Sequence, residues 1–208
     1  MPVRRERVRL EVVEGGSPMS AAALVMPTRV DLATWDAEIC RREDSYELVE
    51  GVPTMSPGAS YVNRGAGALL VGLLNSRRAG WIAVTDGDVT ISEVPATVRR
   101  PDVVVGRRQA LAAEGALAVR LLPPDVLLVA EVVSPSSVER DHVAKRRDYA
   151  LAGIPAYLVV DLRDGRRELT LYEERGSDGL FADVDPAESV TVTIGGREIH
   201  VTVDDLLP

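Results

Sequence analysis

The sequence predicts an α/β fold, a mixed β-sheet flanked by helices, and three observations carry that prediction. Short valine-rich runs such as Val126–Val133 are nearly continuous in apolar character, as in strands covered on both faces. Stretches with helical periodicity stand before and between these runs. The resulting order of helix, strand, helix, strands, helix, strands is that of an α/β sandwich. With 208 residues, 46% of them hydrophobic, the chain can bury a sizeable core, and one domain is expected.

Residues 1–27 show no sustained period and contain the breakers Gly15-Gly16-Ser17-Pro18, so they read as a flexible leader, with a single domain over 28–208. From Asp31 to Arg42, Leu32, Trp35 and Ile39 recur at helical spacing, with arginines in the last turn. Tyr46–Val52 alternates as a strand that ends at Pro53 and the turn Ser56-Pro57-Gly58. A helix follows over Tyr61–Arg78. Its glycines Gly65, Gly67 and Gly72 lack the spacing of a nucleotide-binding loop and are expected to serve close packing.

Strands are expected at Trp81–Val84, Val89–Ile91, Asp102–Val105 and Val126–Val133, with a loop over Gly106–Pro124. After the turn Ser134-Pro135-Ser136 comes a helix over Ser137–Ala152, opened by a Ser136/Glu139 capping box and stopped by Gly153 and Pro155. Ala156–Leu162 and Glu168–Glu173 form a hairpin around Arg163-Asp164-Gly165-Arg166. Shorter strands are expected near Phe181, at Val190–Ile194 and at Glu198–Val203, the last two joined at Gly195-Gly196.

Composition narrows the chemistry. One cysteine, Cys40, cannot form an internal disulfide, and two histidines, His142 and His200, do not make a zinc cluster. No apolar run approaches the roughly 20 residues of a membrane span, and no signal-peptide pattern follows the arginine-rich start. These features predict a cytoplasmic protein without a membrane partner. Any metal would be a hard cation held by oxygen. The net charge of −8 opposes general nucleic-acid coating, so a nucleic-acid ligand needs arginines such as Arg64, Arg77, Arg78, Arg99 and Arg100 gathered at one cleft.

Glu131 lies in the middle of the apolar run Val126–Val133, where an unpaired charge costs several kcal/mol, so it needs a partner. Asp102, after Pro101, opens a valine strand and alone reads as a turn acid. Together on adjacent strands the two carboxylates can hold Mg²⁺ with several waters retained for chemistry. Asp141, Lys145 and Tyr149 follow at i, i+4 and i+8 of the next helix. That spacing suits a solvated ion pair as well as a face turned toward the carboxylates with Lys145 orienting a water. Glu50 and Asp125 read as a turn acid and a strand-entry acid.

The succession Tyr46-Glu47-Leu48-Val49-Glu50-Gly51, Met55-Ser56-Pro57, Arg100-Pro101-Asp102-Val103-Val104, Pro124-Asp125-Val126, Glu131-Val132-Val133-Ser134-Pro135-Ser136, Asp141/Lys145/Tyr149 and Gly153-Ile154-Pro155 with Tyr157 and Asp161 resembles the Uma-two family. These bacterial domains belong to the PD-(D/E)XK, restriction endonuclease-like nuclease superfamily. The resemblance runs from about Asp31 to the C-terminus. It implies a restriction endonuclease-like core that hydrolyses DNA phosphodiester bonds with Mg²⁺ or Mn²⁺. It further implies that Asp102 and Glu131 are the metal-binding acids. The superfamily lysine, expected two residues after Glu131, is replaced by Val133, so its role passes to Lys145, and Glu47 completes the site. Asn63 stands where many relatives carry histidine, and asparagine cannot shuttle a proton near neutral pH. Two other readings stay open, a catalytically inactive nuclease-fold domain that binds nucleic acid or a protein, and a homodimeric assembly domain using the apolar C-terminal strands.

Overall fold

The computed structural model describes residues 29–40, 46–56, 60–76, 80–111 and 120–207. The expected leader, Arg41, Arg42, Pro57, Gly58, Arg77, Arg78 and residues 112–119 of the expected long loop lie outside the described residues. The valine-rich runs form the centre of a five-stranded mixed sheet. Its strands are β3 (Trp81–Thr85), β6 (Val103–Arg107), β7 (Val126–Val132), β8 (Tyr157–Asp161) and β9 (Glu168–Tyr172), in the order β3-β6-β7-β8-β9. β7 and β8 are parallel, with Glu131 opposite Val159, and the other pairs are antiparallel. A parallel pair needs a crossover, and the helix between β7 and β8 supplies it.

Both faces of this sheet are covered. On one, Val103, Val105, Leu128, Ala130, Val132, Leu158 and Val160 pack under α2 (Tyr61–Asn75) and the hairpin β10–β11 (Ser189–Ile194, Arg197–Thr202). On the other, Val104, Val129, Val133, Tyr157 and Val159 meet Tyr149 and Ala150 of the crossover helix. Period-two alternation places Glu131 on this second face, toward the crossover helix. The apolar side chains Val192, Ile194, Ile199 and Val201 of β10–β11 are buried in the chain's own core.

A second sheet, β2-β1-β5-β4, departs from the expectation of one sheet. It comprises β1 (Tyr46–Val49), β2 (Val52–Met55), β4 (Val89–Glu93) and β5 (Ala96–Arg99), all antiparallel. The expected strand Tyr46–Val52 is a hairpin. Glu50 and Gly51 both take positive φ (49° and 82°), the primed-turn geometry that folds β2 back on β1. Pro53 lies within β2, an edge strand, where a missing N–H is tolerated. β5 was hidden by its charged end, since Arg99 is buried only because it is paired. α1 (Leu32–Thr34) runs into a π-helical segment, Trp35–Ile39, and packs Trp35 and Ile39 against Leu48 and Val98.

The crossover helix is π-helical over Arg140–Lys145 and α-helical over Arg146–Leu151 (α4). The expected Ser136/Glu139 capping box does not form. Instead Ser137 Oγ accepts from Ser134 N–H at 2.9 Å, and Asp141 N–H donates to Ser137 O at 2.8 Å. The helix stops at Gly153, whose φ of +81° closes a Schellman pair, with Ile154 N–H donating to Tyr149 O and Gly153 N–H to Ala150 O. α3 (Arg108–Leu111) and a bridge from Leu121 to Val89 occupy the described ends of the expected long loop. Of the three α2 glycines, Gly67 alone approaches the sheet, 3.7 Å from Val103, while Gly65 and Gly72 face open space.

A Cβ at Gly153 would meet nothing within 4 Å, so a side chain there is disfavoured by φ alone. Gly153→Ala is expected to lower unfolding free energy by about 1 kcal/mol in urea titrations.

Candidate active site

The strand ends and the crossover helix bring four of the sequence-selected side chains together. Lys145 comes from the π-helical segment, and its Nζ lies 2.7 Å from Glu131 Oε1 on β7 and 3.1 Å from Glu47 Oε1 on β1. Asp141, one turn earlier, presents Oδ1 at 3.7 Å. All four groups are buried. The extra residue per turn of a π-helix is a recurring device at functional sites, and here it carries Asp141 and Lys145 on the inward face. Tyr149 O–H adds a 2.8 Å hydrogen bond to Glu131 Oε1, and Tyr157 O–H donates to Asp141 O at 2.8 Å.

Asp102 sits at the entrance to β6. Its Oδ2 accepts from Val132 N–H at 2.7 Å, which ties it to the end of the strand carrying Glu131. Asn63, in the first turn of α2, donates from Nδ2 to Val132 O at 2.9 Å and clamps the same strand end from the opposite side. Asp102, Glu131, Asp141, Lys145, Arg140 and Asn63 all line one polar cleft of about 40 Å³, enough for a few waters. Val133 is buried in the apolar cluster beneath the crossover helix, so the ammonium that reaches Glu131 comes from that helix rather than from β7.

Glu47 does not line the cleft. It stands behind Lys145, where Arg99 Nη1 donates to Oε2 at 2.9 Å and Arg100 N–H donates to Oε1 at 3.2 Å. Arg99 in turn donates from Nε and Nη2 to Asp148 Oδ2, and Arg100 forks onto Asp88 at 2.6 and 3.0 Å. Sequence reasoning gathered both arginines around the cleft; Arg100 lines it, and both are paired with acids within the chain. Arg64 is exposed. Asp148, Asp88 and Arg140 were missed, because nothing local marks which surface-type charges a tertiary fold will bury. The only available signal was Arg99 itself, at the end of the apolar triplet Ala96-Thr97-Val98.

Burial pushes the Glu131 carboxyl up to about 8, with Lys145 opposing and Asp102, Asp141 and Glu47 adding to the rise. Burial likewise lifts Asp102, against the Val132 N–H and Lys145. For Glu47, burial is outweighed by Lys145 and Arg99, and the group falls below its ordinary value. Burial disfavours the Lys145 ammonium, but Glu131, Glu47 and Asp141 outweigh it and hold the group charged. Burial and Glu131 push Tyr149 well above its ordinary range, so it is a neutral donor.

The donor set is the test of whether a cation suits the cleft. Asp102 and Glu131 are hard oxygen donors held above their normal range, and Asp141 Oδ1 is buried without a hydrogen bond. Such a donor set fits Mg²⁺ or Mn²⁺, which need one or two carboxylates and keep several waters. Among the described residues no three His, Cys, Asp or Glu groups converge on one point, so water would fill the remaining positions.

The sequence model of the family described as "Uma2: Putative restriction endonuclease" matches residues 35–200. Among solved structures, the chain resembles "a putative nuclease belonging to DUF820" from Anabaena variabilis ATCC 29413, with a TM-score of 0.62 at 16% identity over 79% of this chain and 90% of that one. Among curated proteins there is no match.

Two outcomes follow from the charge balance. Glu131 is raised from 4.5 to about 8, so its contribution to stability is complete below about pH 4.5 and is lost as pH rises through about 8. Metal-free protein should therefore melt at progressively lower temperature from pH 5 to 8, and Glu131→Gln should flatten that slope and melt higher than wild type at pH 8. An equal slope in the variant would contradict the assignment. Arg99→Met leaves Asp148 without its partner and Glu47 with Lys145 as its remaining ion pair, and should cost about 3–5 kcal/mol in denaturant titrations.

Proposed function

The chain belongs to the Uma2 family, and from that premise we propose that it is a Mg²⁺- or Mn²⁺-dependent endonuclease that hydrolyses phosphodiester bonds of DNA. The observation that carries the reading is the convergence of Asp102, Glu131 and Lys145 on one buried polar cleft. Asp102 and Glu131 would hold the cation, which when bound would polarise the scissile phosphate.

The chain's own groups do the positioning. Val132 N–H fixes Asp102, while Tyr149 and Lys145 orient Glu131 through Oε1. An ammonium has three donors. Glu131 and Glu47 engage two within hydrogen-bond distance, and the third is left to orient the attacking water or a phosphate oxygen. Glu47 acts through Lys145 as a positioning residue, and Arg99 holds Glu47 in turn.

The acidic chain has few uncommitted cations at the cleft, so affinity for DNA should depend on the divalent ion and fall only shallowly with salt. A catalytically inactive member is the second reading. It is favoured by Asn63, whose amide is engaged by Val132 O and by Ser60 Oγ and so serves as a clamp.

A cleavage assay on plasmid and oligonucleotide DNA, with and without chelator, separates these readings. Asp102→Asn and Glu131→Gln are each expected to abolish Mn²⁺-dependent cleavage, and Glu47→Gln to lower kcat less severely. Unchanged cleavage by both of the first two variants would remove this site from consideration. DNA binding without any cleavage by wild type would establish the inactive reading.

A further inference from the structure

Asp141 Oδ1 and Arg140 Nε, on consecutive residues that line the cleft, are both buried atoms without a hydrogen-bond partner and stand 3.9 Å apart. Lys145 Nζ stands 3.7 Å from the same Oδ1. Each separation is too long for a direct hydrogen bond and suits one intervening oxygen, which would lie at hydrogen-bond distance from both sides. Leaving a buried donor and a buried acceptor unpaired in one small polar cleft is costly, and a bound water or phosphate oxygen relieves it. Asp141 is also the one carboxylate of the cleft that the proposed cation site does not use.

We propose that Asp141 is a catalytic residue that accepts a proton from the attacking water, with Arg140 binding a non-bridging oxygen of the phosphodiester. The inference rests on the proposed hydrolysis at this cleft and assigns the proton transfer that Asn63 cannot perform. Lys145 donates its third N–H to one lone pair of the water, and Asp141 Oδ1 accepts one of the water's protons. The other lone pair stays free for phosphorus. As the water oxygen bonds to phosphorus, its proton passes to Asp141 and the bond from phosphorus to the leaving oxygen breaks. In DNA that oxygen takes a proton from solvent. Arg140 Nε donates to an oxygen that gains charge during the displacement.

The test uses the full chain, bis(p-nitrophenyl) phosphate as a sequence-independent diester, and Mn²⁺ binding measured by calorimetry without substrate. Asp141→Asn should lower kcat about 100-fold with KM and Mn²⁺ affinity unchanged. Asp141→Glu should recover part of the rate. Arg140→Gln, a change on a partly exposed side chain, should raise KM several-fold and leave Mn²⁺ affinity alone. Cleavage by Asp141→Asn at the wild-type rate, while Asp102→Asn is inactive, would overturn the inference and leave the proposed function standing. Loss of Mn²⁺ affinity in Asp141→Asn would also overturn it, since it would make Asp141 a ligand or a support. Wild-type protein that neither binds Mn²⁺ nor cleaves would instead remove the function on which the inference rests.

Discussion

The Lys145 ammonium, 3% exposed and in contact with Glu131 and Glu47, is the interaction on which the site and much of the fold's geometry depend. Glu131 belongs to the five-stranded sheet, Glu47 to the four-stranded one, and Lys145 to the crossover helix between β7 and β8. One cation therefore fixes the relative placement of three elements. A buried charge left without its partner costs several kcal/mol, so each of these groups enforces the position of the others. Arg99 extends the arrangement by pairing Glu47 with Asp148, which joins the second sheet to the crossover helix once more.

The same arrangement buries carboxylates at the cleft. Tyr149, the Val132 N–H and Lys145 hold Glu131 and Asp102 in place without neutralising them, and both carboxyls sit above their usual range. An arrangement optimised for stability alone would replace such acids with apolar groups, as buried ion clusters often can be replaced without loss. Retaining them, together with an unpaired Asp141 Oδ1, accords with the proposed cation site. Under that proposal a divalent ion would add positive charge where an acidic chain meets a phosphate.

Much of the main sheet was legible in the sequence, because strands covered on both faces must be apolar and little else produces runs like Val126–Val133. Glu131 stood out in that run for the same reason. The second sheet was harder to read. β5 ends in Arg99, whose burial depends on partners 52 and 49 residues away, and the Glu50-Gly51 turn lies inside what reads as one alternating strand. For the site, the i, i+4 spacing of Asp141 and Lys145 could not say which way the helix faced. That direction is set by the π-helical turn and by packing of Tyr149 and Tyr157, whose rings meet edge to face at 5.0 Å. Arg140 carried no signal at all, since its meaning comes from the gap between it and Asp141.

The central claim is that Asp102 and Glu131 form a cation site completed by water. Anomalous diffraction from crystals soaked in Mn²⁺ tests it most directly. The account predicts one manganese peak in the cleft, bonded to oxygens of Asp102 and Glu131, with Lys145 still on Glu131. Crystals that take up Mn²⁺ elsewhere and show none between these two carboxylates would contradict it.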